Sequence, residues 1–540
     1  MPRVKRVKSL ADICMNFILE NQEIFSERFS IGELEVCRNI NALNSDKPST
    51  NPFDDLPTEL LEELVRLLRK KESYRWDDQT LYPTKTYKIT PFLKLMMTPR
   101  LRTLDLTRIK KECINDCAAV LHLATMRIPH LETLILDCQY VTSFHFISKF
   151  AKLLKLHIFS PENGDECFEL IGKHCPDLRE LTCSSNKVTD DGILKLCVVG
   201  NCKSIRCCKV TTKGIQLALD NLPQLSVLEH ECLLECLAEI AQNALDHKSS
   251  LPKYSLKTLY ILRDTIYKTG SLQKSVLLCP DVIRVYLTMW RKERFDNSEL
   301  LSVLSLEKLY TIEIINAEFE KLQFTSTEIQ INRGLTFDGV VPLLKKFGCL
   351  LKSLEFRDFY AVDIAMIIES CPNLESLTIY NCKTNQSTWT KFMERPSSIL
   401  RHLKMLCLCY LTFENVFTLF LSPSLSRVII TSCYAVTDHV LQSAASLHSF
   451  CNLEYLQLIE CQSVTKKGII DIFLKESNPL RKMILYENNS GYTLEDVDDL
   501  NEKAIWIKNN WQFKLILHRS NLGRSVRHLA ALGYQILITS

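Results

Sequence analysis

Apolar residues recur through most of this chain in one order: a leucine, two variable positions, an apolar residue, one variable position, a third apolar residue, then two positions before a cysteine or asparagine. The clearest runs are LRELTCSSNKVTDDGI from Leu178, LESLTIYNC from Leu374, LSRVIITSCYAVTDHV from Leu425 and LEYLQLIECQSVTKKGI from Leu453. Looser copies start at Leu101, Leu131, Leu153, Cys202, Leu225, Leu256, Val282, Leu309, Leu351, Leu403 and Leu480, making fifteen starts, mostly 22 to 31 residues apart. The alternation of the second and third apolar positions predicts a short strand with one buried side. A V-T-x-x-G-I or V-T-D-x-x-L segment follows, then an amphipathic helix such as LQSAASLHSF or FTLFLS. The longer gap from Leu309 to Leu351 contains AEFEKLQFTSTEIQINRGLTFDG, an insertion or a degraded repeat.

This period and this L-x-x-L-x-L-x-x-C/N order are those of leucine-rich repeats. The predicted fold class is α/β: a leucine-rich-repeat solenoid with strands on the concave side and helices on the convex side. The V-T-D/K-x-G-I turns and the joints Cys175-Pro176, Cys279-Pro280 and Cys371-Pro372 resemble the cysteine-containing class. Proline just past a helix stops it and directs the chain into the next strand. The ninth-position Cys or Asn should turn inward, where its polar group satisfies loop backbone. No single repeat can bury its apolar edge alone, so stacking supplies the stability. The chain therefore divides into a helical region over 1–75, a connecting segment over 76–100, repeats over 101–490 and a cap over 491–540. In that cap TLEDVDDLNEKAIWIKNNWQFKLILH reads as a last helix and strand, followed by a basic tail helix around SVRHLAALGY.

Composition changes this picture little. The chain has 540 residues, 46% hydrophobic and 24% charged, with formal net charge +3, which argues for neither nucleic acid nor a membrane surface as partner. No run of about 18 apolar residues predicts a membrane span. The opening MPRVKRVKSLADICMNFILEN turns from basic to apolar, but Asp12 and Asn16 interrupt it and no small-residue cleavage site follows, so a cleaved signal is not expected. The 23 cysteines are spread along the chain, many in apolar stretches, and read as reduced core thiols of a cytoplasmic or nuclear protein. Only 14 glycines lower the expectation of a phosphate cradle.

The first hundred residues differ from the rest. Leu10, Cys14 and Ile18 stand at i, i+4 and i+8, one apolar stripe on a helix. Such a stripe either enters a partner's groove or caps the first repeat. Ser9-Leu10-x-x-x-Cys14-x-x-x-Ile18 resembles the BC box with which substrate receptors bind Elongin C. Farther on, Leu56-Pro57-x-x-Leu60-x-x-x-Leu64 is similar to a cullin-2 box, with Pro57 near a helix start where proline is tolerated. The two boxes in this order before leucine-rich repeats resemble the VHL-box receptors of the Zyg type. That resemblance implies Elongin C binding by Leu10, Cys14 and Ile18, and cullin-2 binding by Leu56, Pro57, Leu60 and Leu64. The Zyg proteins also carry armadillo repeats, which this sequence lacks, so their terminal-glycine recognition is not implied. The same Leu-Pro-x-Glu-Leu-Leu segment resembles the first helix of an F-box, which binds a Skp adaptor, although the polar RKKESYRWDDQTLYPTKTYKI after it lacks the later F-box elements. A plain interaction scaffold is the third reading. Receptor and scaffold differ in one respect: Leu10 and Cys14 should be exposed in the first and buried in the second.

No nucleophile elbow, P-loop, HExxH or paired CxxC occurs, so neither an enzyme nor a cofactor is expected. Cys113-x3-Cys117, Cys232-x3-Cys236 and Cys407-x-Cys409 lack second ligand pairs, so no metal is expected. His230 in LEHECL reads as a surface-turn or core histidine. An unidentified client protein would meet the strand residues between the leucines: Tyr260, Arg284, Tyr286, Glu313, Glu355, Arg357, Tyr380, Tyr455, Gln457, Lys482 and Tyr486.

Overall fold

The structure is a computed structural model that describes residues 10–26, 51–72, 91–107, 114–136, 143–159, 164–183, 187–199, 201–206, 210–261, 267–288, 295–316, 335–359, 361–384, 400–409, 411, 413–448, 450–475, 478–486, 499–500, 502–503 and 514–518. Its contacts fall into two units, dividing within the helix Leu233–Asp246.

The unit of Val4–Cys236 and Tyr254–Leu256 begins with three helices, α1 (Leu10–Glu20), α2 (Thr58–Glu72) and α3 (Pro91–Leu95). Six parallel strands follow in chain order: β1 (Thr103–Leu106), β2 (Thr133–Leu136), β3 (Lys155–Ile158), β4 (Glu180–Cys183), β5 (Ser204–Arg206) and β6 (Val227–Glu229). The other unit carries a ten-stranded parallel sheet, again in chain order. Its strands are β7 (Thr258–Ile261), β8 (Arg284–Thr288), β9 (Thr311–Ile315), β10 (Ser353–Arg357), β11 (Ser376–Tyr380), β12 (Met405–Cys409), β13 (Arg427–Thr431), β14 (Tyr455–Ile459), β15 (Lys482–Tyr486) and β16 (Lys514–His518). Helices join most consecutive strands, so each unit is a leucine-rich-repeat array.

Each of the fifteen starts read from the sequence is followed, two residues on, by a strand. Equivalent positions pair across the ladder, as in Leu354 with Leu377 and Phe356 with Ile379. The leucines are buried and the residues between them half-exposed. β9 pairs directly with β10, so the long gap between them is an insertion that adds no strand to the sheet at that point. Residues 317–334, most of that insertion, lie outside the described residues, as does the tail helix expected over 525–534. Strand β16, expected in the cap, pairs with β15 in the same register.

The ninth-position residues turn inward as expected. Sγ of Cys382 donates to Tyr380 O at 3.3 Å, that of Cys433 to Leu411 O at 3.4 Å, and that of Cys461 to Ile459 O at 3.5 Å. The residue just before, at Asp358, Asn381, Ser432 and Glu460, has φ near 50–63°, a left-handed step that swings the chain off the strand. Every described cysteine is a free thiol, most of them buried. Burial pushes the thiols of Cys175, Cys371 and Cys461 up to about 12. The Cys-Pro joints fall where expected: Cys175, Cys279 and Cys371 each cap a helix, their N–H groups closing its last turn.

A second tie between repeats was not anticipated. Thr211 caps the helix Thr212–Asn221, and Asp190 of the preceding repeat accepts from its N–H at 2.9 Å and its hydroxyl at 2.5 Å. Asp165 grips Thr189 likewise at 2.7 and 2.6 Å, and Asp438 grips Thr465 with its N–H at 2.9 Å. Asn297 replaces the aspartate at Thr336. Three residues after each threonine stands a glycine, at 192, 214, 339 and 468. A Cβ on Gly214 would lie 2.3 Å from Asp190 Oδ1, and the other three would meet their own clasp residue as closely. The glycine of the V-T-x-x-G turn is therefore the space that the clasp occupies.

Candidate protein-binding site

Two surfaces collect the residues singled out from the sequence. The first is α1. At about 100° per residue, Met15 and Leu19 share one face, and both are buried where α1 lies against α2. Leu10, Ile13, Cys14 and Phe17 share the other face within a sector of about 100°. Leu10 is 77% exposed, Phe17 60% and Ile13 50%, with Cys14 exposed between them. Ile18 falls at the seam between the faces and is half-buried. Ile13 and Phe17 were missed by the i, i+4, i+8 reading; the i+3 and i+7 positions of the same helix were the available signal.

The support beneath α1 is firm. Phe53 and Phe92 meet edge to face at 5.5 Å, and Phe25, a turn beyond α1, reaches both rings at 6.0 and 6.4 Å. Asn51 Nδ2 donates to Leu95 O at 2.7 Å, and Thr58 Oγ1 donates to Arg100 O at 3.1 Å, tying the start of α2 to the first repeat. In α2, Leu64 is only 1% exposed and belongs to this packing, with Leu61 and Leu68. Leu56 and Leu60 are half-buried and Pro57 is exposed, so these three remain accessible at the front of the helix.

The second surface is the half-exposed side of the ten-stranded sheet. Strand register places Tyr260, Tyr286, Glu313 and Glu355 side by side in one row over β7 to β10, with Gln457 farther along the same row. The Tyr260 and Tyr286 rings stack in parallel, 9° apart in plane and 5.0 Å between centroids. Burial raises the Glu313 carboxyl above its ordinary range, the facing Glu355 carboxylate adds to the rise, and Arg357 opposes it. Burial also opposes the charge of Arg357, but Glu355, to which its Nε donates, and Glu313 hold that pKa up. Arg357 lies 5.6 Å from the Tyr380 ring centroid. On β13 to β15, Arg427 and Lys482 approach the Tyr455 ring at 4.4 and 5.3 Å, and Tyr455 Oη donates to Gln457 Oε1 at 2.6 Å. Arg427 was not singled out from the sequence. Arg284 is exposed at the start of β8, and the side chain of Tyr486 lies outside the described residues.

His230 is buried, its Nδ1 accepting from the Cys232 N–H at 3.1 Å, and burial pushes its pKa down. Of the noted cysteine pairs, Cys113 lies outside the described residues. Cys236 donates to Thr212 O at 3.2 Å, and burial raises the Cys407 thiol.

No family model matches the chain. Among solved structures it is similar to the yeast complex of Rad7 and Elc1, at 16% identity and TM-score 0.45, over 86% of this chain and 96% of that one. It is also similar to a leucine-rich-repeat protein of Leptospira interrogans, at 14% identity and TM-score 0.25, over 77% of this chain and 91% of that one. An internalin of Listeria monocytogenes gives 14% identity and TM-score 0.28, over 79% and 94% of the two chains.

Proposed function

We propose that this protein is the substrate-recognition subunit of an Elongin B/C–cullin-2 type ubiquitin ligase. The observation that carries this reading is the outward stripe of Leu10, Ile13, Cys14 and Phe17 on a helix whose other face is anchored. Exposed apolar side chains in a row on one helix face favour a helix-in-groove partner over a capping role. The order of residues is that of the BC box, and Leu56, Pro57 and Leu60 offer the accessible part of a cullin-2 box. Leu64 then serves by holding α2 in place. The half-exposed sheet side holds the client. The chain is a scaffold, and ubiquitin transfer belongs to the enzymes it recruits, in the cytoplasm or nucleus.

A pull-down with purified Elongin B/C tests this reading. Wild type should bind, and Leu10→Ser with Cys14→Ser should lose binding at least tenfold with an unchanged circular dichroism spectrum. Failure of wild type to bind would remove the reading. Binding to a Skp adaptor instead would install the F-box reading, and binding to neither would leave an interaction scaffold.

A further inference from the structure

We infer that the sheet side over β7 to β10 receives a cationic side chain of the client, lysine or arginine, between the stacked Tyr260–Tyr286 rings and the facing Glu313 and Glu355 carboxylates. This deepens the reading of that side as the client surface and does not depend on which adaptor α1 engages.

Like charges directly opposite on neighbouring strands destabilise a sheet, yet Glu313 and Glu355 hold paired positions on β9 and β10. Glu355 is answered by Arg357 of its own strand. Glu313 accepts no hydrogen bond from any described residue, although it is half-buried. Arg284, the cation on the adjoining strand, forms no ion pair with either glutamate among the described residues and stays exposed. The neighbour of Glu313 in the row on β8 is Tyr286, one ring of the parallel stack. Aromatic faces beside carboxylates favour cations through the ring quadrupole and through charge. The same sheet side already carries that chemistry within the chain, with Arg357 near Tyr380 and Arg427 near Tyr455. An anionic client group would meet two carboxylates, and an apolar one would leave Glu313 half-buried without a donor.

The test is calorimetric titration of the full chain with acetylated tri-arginine amide against its uncharged isostere, tri-citrulline. Wild type should prefer tri-arginine at least tenfold. The preference should fall within twofold in Glu313→Gln/Glu355→Gln. It should persist in a control that removes two exposed acids outside this row, Glu231→Gln/Glu239→Gln. It should persist equally in Leu10→Ser/Cys14→Ser, so that loss of the adaptor reading and loss of this one are separable. Glu313→Gln should melt at or above the wild-type temperature, because it removes a like-charge contact. Absence of tri-arginine binding by wild type, a preference kept by the double glutamine variant, or a preference lost in the control would each overturn the inference. So would a marked drop in the melting temperature of Glu313→Gln, which would make the pair structural.

Discussion

Gly214 sits inside a helix, where alanine is ordinarily favoured by about 1 kcal/mol. The clasp reverses that preference. An added Cβ displaces the Asp190 carboxylate, which accepts from both the N–H and the hydroxyl of Thr211. Hydrogen bonds to a charged group contribute about 1.5–3 kcal/mol each when shielded and less at an exposed site. Gly214→Ala should therefore lower stability by about 1–2 kcal/mol net, measured by urea denaturation. A gain in stability instead would mean that the clasp contributes nothing. The turn sequence V-T-x-x-G-I was visible in the chain, but its partner was not. Asp190 follows Thr189 in one repeat and grips Thr211 in the next, a relation that only the stacking of repeats reveals.

Among the elements, strands were read most faithfully, because a period-2 alternation repeated fifteen times leaves little choice of register. Leu374, Leu377 and Ile379 follow that alternation inward, and Cys382 closes the turn. Helix α1 was harder to read. Its apolar residues occupy both faces, so spacing alone could not tell the packed face of Met15 and Leu19 from the open one of Leu10 and Cys14. The Glu313–Glu355 pairing also escaped, since 42 residues separate them and the insertion hides their adjacency. The two faces of α1 should respond oppositely to a polar substitution. Met15→Ser, in the packed face, should cost about 2–4 kcal/mol, whereas Leu10→Ser should stay within about 0.5 kcal/mol of wild type. Thermal melts of the two variants check this; equal losses would show Leu10 to be a packing residue.

At the scale of the whole chain, the arrays depend on contacts between neighbouring repeats, so an interruption matters only if it breaks a neighbour contact. The segment 317–334 does not: β9 and β10 pair directly, and Asn316 donates to Leu335 O at 3.2 Å where the segment leaves and returns. Replacing 317–334 by a Gly-Ser linker of about three residues should leave the melting temperature unchanged or raise stability by up to about 1.5 kcal/mol, from the smaller entropy of closing a shorter loop. Differential scanning calorimetry measures it, and a clear destabilisation would show that the insertion supports the sheet.

The clasps also bear on how such a chain yields to force. A parallel ladder pulled from one end is unzipped, each strand carrying the load alone before the next is engaged. Where Asp438 holds Thr465, the tug on the outer repeat passes through side chains as well as through the ladder. Unclasped joints would then slip at lower tension, and clasped ones would act as ratchet stops, so traction on the chain would meet steps of unequal height in place of an even unzipping.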